Sequence, residues 1–368
     1  MSDLKDYQEI KDSIKSVPPL PAFPSDSVRV DSAEGIIQAI TEAKSHTTIV
    51  IAKGHYQMPC DSLLTASHVT IRGETDNPDD VVLDGGVDGT KPFDDDSPQF
   101  KKTGGQSGML KILRASNVTI ANLTIANCPK YGLVYVGGGN VCYLKVYHCT
   151  FRNIWARGIK GHGSNPIETE SEHPMDTMSD QEFYGVAPKY GEIRHCLFEA
   201  DKVKTNDQDG FEGDYIAGMD LMGTKHFTIA DNTFIGIRGK NGGARGAMFI
   251  WQLTENVTVE NNHIYHCDKG IALGNPSSRD KRSYHVRNSL VRNNTIIGGS
   301  NKAIEIDHGN NVDIVQNTIE STVRKNFVTI QVNHITESSR VTDNTIRLHG
   351  EQAFGCDDCV SVENNDVT

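Results

Sequence analysis

The sequence predicts an all-β solenoid, one chain wound into stacked coils, with a helix capping its N-terminal end. Three observations predict it: a phrase that recurs in one frame, apolar and polar residues alternating within that phrase, and a second element, opened by a small residue, after each copy. The phrase reads Phe227-Thr-Ile-Ala-Asp-Asn232-Thr-Phe234, then Val257-Thr-Val-Glu-Asn-Asn262-His-Ile264, Val312-Asp-Ile-Val-Gln-Asn317-Thr-Ile319 and Val360-Ser-Val-Glu-Asn-Asn365-Asp-Val367. Ser289 to Ile296, carrying Asn294, and Ser339 to Ile346, carrying Asn344, fit the same frame. Six asparagines thus share one offset at spacings of 21 to 32 residues, the range of a solenoid repeat.

Each element of a coil has its own reason. Alternation of Val, Ile or Phe with polar residues marks strands with one buried face. An asparagine at a fixed corner can hydrogen-bond its copies above and below when identical backbones stack in register. Upstream the frame persists while the corner residue changes, to Leu123, Cys149 and Cys196. The second element is Gly132-Leu-Val-Tyr, Gly158-Ile-Lys-Gly, Gly218-Met-Asp-Leu, Gly246-Ala-Met-Phe, Gly270-Ile-Ala-Leu, Ala303-Ile-Glu-Ile, Phe327-Val-Thr-Ile and Ala353-Phe-Gly-Cys in successive coils. A coil is therefore a strand, a corner, a short strand, a variable loop and another strand. Ahead of the coils, Ala33 to Lys44 has helical periodicity and leads into strands at Thr48 to Ala52 and Gly54 to Tyr56. Its expected role is to cover the open apolar end, as terminal repeats must.

These pieces resemble the right-handed parallel β-helix of the pectate-lyase-like (pectin lyase fold) superfamily, from about residue 48 to residue 368. The resemblance implies a single-stranded right-handed parallel β-helix whose asparagine ladder lies between its second and third sheets. It also implies a substrate groove on the first sheet, the one that follows the variable loop. That superfamily hosts lyases, hydrolases, epimerases and adhesive proteins, so the fold leaves the activity open.

Composition agrees with one domain, because a solenoid of 368 residues grows without a second core. Residues 1–30 read as an extension with a Pro-rich linker from Pro18 to Pro24, and residues 31–368 as the β-helix with its cap. Met1 to Val17 lacks the basic-then-apolar pattern of a secretory signal, although the resemblance points to a secreted or periplasmic monomer. No apolar run reaches the length of a membrane span. There is no basic stripe with interleaved aromatics to bind nucleic acid, and the net charge is −12. Cys128, Cys142, Cys149, Cys196 and Cys267 fall on corners or strands, where a thiol acts as a small apolar residue. Cys356 and Cys359 form a lone Cys-x-x-Cys, a poor zinc motif without a second pair.

Alternation places Val134 and Val136, Lys160 and His162, Asp220 and Met222, Met248 and Ile250, Ala272 and Gly274, Glu305 and Asp307, and Thr329 and Gln331 on the outer face of the first sheet. Strands stack about 4.8 Å apart, so Lys160 and Asp220 are expected to be neighbours. The longest interruptions, Ser164 to Tyr190, Glu199 to Ala217 and Gly236 to Arg245, border the same coils, and long loops on a rigid scaffold concentrate function.

Such a basic and acidic cluster suits an acidic polysaccharide. Taking a proton from the carbon beside a uronate carboxylate requires that carboxylate to be neutralised and a base to be at hand. The expected catalytic set is Lys160, His162 and Asp220, with Lys160 and His162 as base and acid. Arg157, Arg238, Lys240, Arg245 and Trp251 form the expected substrate-binding set. Arg157 and Arg245, each just before its glycine, are expected at equivalent positions about two coils apart. The loop with Asp207, Asp209, Glu212 and Asp214 resembles part of a calcium loop, though it lacks an acidic first ligand and a properly spaced final Glu. Glu305 and Asp307 read as solvated surface, with Glu305→Gln an expected inert control.

The leading expectation is a polysaccharide lyase. The alternatives are an inverting glycoside hydrolase pairing Asp220 with Asp209, Glu212 or Asp214, a uronate C5-epimerase, and a non-catalytic glycan-binding β-helix. Asn206-Asp-Gln-Asp-Gly-Phe211, Gly161-His-Gly163 and Asp357-Asp-Cys-Val360 are similar to signature pieces of polygalacturonase-type hydrolases. Here their order differs, and about five coils, roughly 25 Å, separate Asp209 from Asp357.

Overall fold

The computed structural model describes residues 2–14, 16–59, 61–92, 108–136, 141–162, 179–276, 284–320, 328–349 and 352–368. Three parallel sheets run the length of a right-handed β-helix. The first, opened by the small residues, stacks ten strands from Ser62–Leu64 to Gln352–Cys356. The second and third, before and after the asparagine corner, start at Val28–Val30 and Gly54–Gln57. No described helix is long and apolar enough to cross a membrane.

The helix Ala33–Thr41 begins at Ser32, whose hydroxyl accepts from the Gly35 amide at 3.2 Å, a normal N-cap. Its Ile36 and Ile40 are buried in the same core as the coil interior. Ahead of it, the helix Ser2–Asp12 lies outside the coils: Tyr7 stacks on His266, and Lys11 pairs with Glu199 at 3.0 Å. The Pro-rich linker docks through its carbonyls, with Tyr147 donating to Pro18 and Arg72 to Pro21, each at 2.7 Å.

Inside, the third sheet contributes a stack of Phe151, Phe198 and Phe234, with ring centroids 4.8 and 4.6 Å apart. This stack explains the small residues that open the first-sheet strands. A Cβ on Gly158 would lie 2.9 Å from Phe198 and 2.4 Å from the Gly218 carbonyl, and one on Gly218 would lie 2.8 Å from Phe234. All seven described cysteines are unpaired, and burial raises the Cys128 thiol well above its ordinary value.

At the corner the six asparagines hydrogen-bond in line. Asn232, Asn262, Asn294, Asn317 and Asn344 each donate from Nδ2 to the Oδ1 of the next, at 2.9 Å. Asn294 also donates to the Val259 carbonyl, and its Oδ1 accepts the Asn262 backbone N–H. Replacing it orphans partners on both neighbouring coils. Asn294→Ala is expected to destabilise by about 1–3 kcal/mol, the cost of buried unsatisfied groups; an unfolding free energy within error of the parent in a urea titration would contradict this.

Candidate active site

The first-sheet register sets Lys111, Val134, Lys160, Asp220, Phe249, Ala272, Glu305 and Gln331 in one outward row. Lys160 and Asp220 are direct partners, as the repeat predicts. In the next coil the outward residues are Phe249 and Trp251, whereas Met248 and Ile250 point into the core. Gly246, at φ +144°, starts that strand one residue early, so Ala247 rather than Gly246 takes the small-residue slot opposite Gly218. The same shift moves Arg245 out of equivalence with Arg157, whose register partners are Ala217 and then Gly246.

Asp220 is the centre of the cluster and is 3% exposed. Its Oδ2 accepts from Arg157 Nε at 2.9 Å and Lys160 Nζ at 2.8 Å, and its Oδ1 from Trp251 Nε1 at 3.2 Å. Burial alone would raise this carboxyl; Lys160 and Arg157 outweigh it and lower it to about 2. Arg157 is 1% exposed and Lys160 5%, so the pair is a buried ion cluster rather than an exposed cross-strand contact. Arg157 is engaged by Asp220 and by the Ala156 carbonyl, which leaves it an electrostatic role instead of the expected grip on a substrate. Lys160 Nζ, the expected base, is ion-paired to this buried carboxylate.

His162 lies one residue pair further along the strand, with its Nε2 buried and without a partner. Burial and then Lys160 lower its imidazole to about 3. The ring is therefore neutral near pH 7, not the imidazolium that the expected acid requires.

The loop before Ala217–Met222 folds back over this face. Tyr215 lies against Arg157, whose guanidinium carbon is 3.8 Å from the ring centre. Phe211 stacks on Tyr215 at 5.3 Å, and Arg245 sits over Phe211 at 4.4 Å. Burial pushes the Tyr215 phenol up, but Arg157, then Lys160 and the Tyr131 hydroxyl, outweigh it and hold it below the ordinary value of 10.0. Burial and Tyr215 in turn raise Tyr131. Neither tyrosine stands out in the sequence. Tyr131 precedes a repeat glycine, a signal that could have been used; Tyr215 lies in a loop with no period.

The remaining expected residues separate. Arg245 is half-buried and has no acidic partner among the described residues; burial and then Arg157 lower its guanidinium. Arg238 lies against Tyr7 of the N-terminal helix, outside the cluster. Lys240 is an exposed residue 3.7 Å from Asp207. Asp209 is buried against Lys204, and Asp214 accepts the Asn241 N–H at 2.9 Å. Asp207, Asp209 and Asp214 thus have separate partners, and among the described residues these three and Glu212 are not found as a group of ligand atoms close enough to hold one ion. Glu305 is buried between Lys269 and Lys302, so it is neither solvated surface nor an inert control. Asp307 is likewise buried. Five first-sheet strand steps separate the Asp209 loop from the Asp357 turn, as the spacing predicts.

The sequence model described as "Right handed beta helix region" matches residues 110–367. No curated protein sequence matches the chain. Similar solved structures include an alginate lyase from Paenibacillus sp. str. FPU-7, 12% identical, covering 91% of this chain and 99% of that one with a TM-score of 0.54. Endopolygalacturonase I from Stereum purpureum, complexed with two galacturonate, is 14% identical over 92% of this chain and 98% of that one, with a TM-score of 0.52. PfbA, a surface adhesin of Streptococcus pneumoniae, is 13% identical over 93% and 91%, again with a TM-score of 0.52. At these identities the likeness concerns the fold alone.

Proposed function

We propose that this chain, which belongs to the right-handed β-helix family, is a carbohydrate-active enzyme that cleaves a uronate-containing polysaccharide by β-elimination. The observation that carries the reading is the placement of Tyr215, whose ring lies 3.8 Å from the Arg157 guanidinium carbon, against the buried Arg157–Asp220–Lys160 cluster; Arg157 and Lys160 lower its phenol below the ordinary value. A base is most useful when its pKa approaches the working pH, and the two cations favour the phenolate. In this reading Arg245, a half-buried guanidinium with no acidic partner among the described residues, receives the substrate carboxylate. The C5 proton passes to the Tyr215 oxygen, the C4–O4 bond breaks, a C4=C5 double bond forms, and Lys160 donates the proton that the leaving O4 takes. Asp220 holds Lys160 and Arg157 in place. The neutral His162 ring packs edge-on to Tyr131 beside the cluster, with centroids 6.2 Å apart.

The hydrolase alternative has one supporting observation: burial raises the Asp209 carboxyl despite Lys204, as a general acid needs. Asp220, the expected partner, is held at about 2 by Lys160 and Arg157, which makes it a weak base for activating water. The net charge of −12 disfavours long-range attraction of a polyanion, so steering rests on the local cations. A role outside the cell fits a polymeric substrate.

The test is a screen of polygalacturonate, alginate and neutral polysaccharides read for ultraviolet absorbance and for reducing ends. The expected result is an absorbing, unsaturated product from a uronate polymer only. Reducing ends without absorbance would establish hydrolysis instead, and binding without either product would establish a glycan-binding β-helix.

A further inference from the structure

Past the end of the strand Ile304–Asp307, on the same outer face two strand steps from Trp251, two histidines converge on one buried carboxylate. Asp307 is 3% exposed. His308 Nδ1 contacts its Oδ1, and His334 Nδ1 lies 3.2 and 3.3 Å from its two oxygens. The convergence follows from the coil geometry. His308 and His334 occupy equivalent left-handed corners, φ 51° and 55°, one coil apart, so their rings stack at 4.7 Å with the same nitrogen facing Asp307.

Buried carboxylates require a cation or hydrogen-bond donors. Lys269 and Lys302 serve the neighbouring Glu305, and Asp307 has no Lys or Arg partner among the described residues. Its partners are two imidazoles, which carry charge only when protonated. We propose that Asp307, His308 and His334 form a site for a divalent transition ion of the zinc class. Ligands of one tetrahedral zinc ion, bound at about 2.0–2.2 Å, stand roughly 3.3 Å apart, which matches the His334–Asp307 separations. Two imidazoles and one carboxylate select zinc or a related borderline ion over calcium, which takes oxygen ligands. His308 and His334 are partly exposed, so an ion can enter from solvent and retain a position for water or an anion. The proposal is independent of any reaction on the face.

The test is calorimetric titration of the full chain, stripped with chelator and free of glycan, with zinc chloride, repeated with cobalt(II) to read the ligand-field bands. One equivalent is expected to bind, with calcium silent. His334→Gln, at the more exposed ligand, and His308→Asn, which keeps a residue tolerant of the left-handed corner, are each expected to weaken binding by about tenfold or more. The nearby thiols are the control: the double variant Cys356→Ser, Cys359→Ser is expected to bind as the parent does. No zinc uptake by the parent, affinity unchanged in folded His334→Gln, or binding lost in the cysteine variant would each overturn the site.

Discussion

Asp220→Asn is expected to destabilise the protein by about 3–5 kcal/mol, because it leaves the buried Arg157 and Lys160 charges without their counter-ion. The amide has one acceptor where the carboxylate receives Arg157, Lys160 and Trp251, and its NH₂ faces other donors. The same residue gives stability a pH dependence. Its folded value, about 2, lies below the ordinary 3.8. Its contribution is therefore fully present above the ordinary value and is lost as pH falls from there through about 2. The variant should lose this acid limb as well as stability at neutral pH. Urea unfolding at pH 7 and at several values below 4 measures both; a loss under about 1 kcal/mol at pH 7 would mean that water or relaxation solvates the cluster.

The fold was legible because a solenoid writes its packing locally. Alternation at Thr228–Ala230 or Thr258–Glu260 states which side faces the core, and the fixed offset of Asn232 to Asn365 states how coils align. Lys160 opposite Asp220 could be read for the same reason. Met248 and Ile250 were misread because one extra residue before Ala247 reverses the face of every residue after it, and Gly246 looks like the repeat glycine. Burial was the other limit. Nothing local to Glu305 says that Lys269, one coil away, covers it, and nothing periodic says that the loop from Lys204 to Tyr215 lies back on Arg157. The corner histidines became visible as a group only when coils brought residues 26 positions apart into contact.

Tyr215→Phe is expected to lower turnover on a uronate polymer by about 10²-fold or more, the scale of losing a positioned proton-transfer group, with a stability loss of no more than about 1–3 kcal/mol from the Tyr131 hydroxyl that loses its partner. The ring that stacks on Phe211 and covers Arg157 is retained, and only the oxygen is removed. If the phenolate is the working form, parental activity rises with pH through the Tyr215 value, which Arg157 and Lys160 hold below 10.0. His162, lowered to about 3, contributes no limb near neutrality. Lys160→Ala should also reduce turnover, but it disturbs Asp220 and so mixes chemistry with packing. Arg245→Ala removes the group that neutralises the substrate carboxylate, so kcat/KM should fall through both a raised KM and a lowered kcat. Arg340, exposed and paired with Asp313 on the second sheet, is remote from this face, so Arg340→Ala should leave both constants unchanged. Steady-state rates by ultraviolet absorbance across pH check the set. A folded Tyr215→Phe enzyme with parental turnover would remove the phenol from the chemistry and return the base to Lys160 or to a bound water.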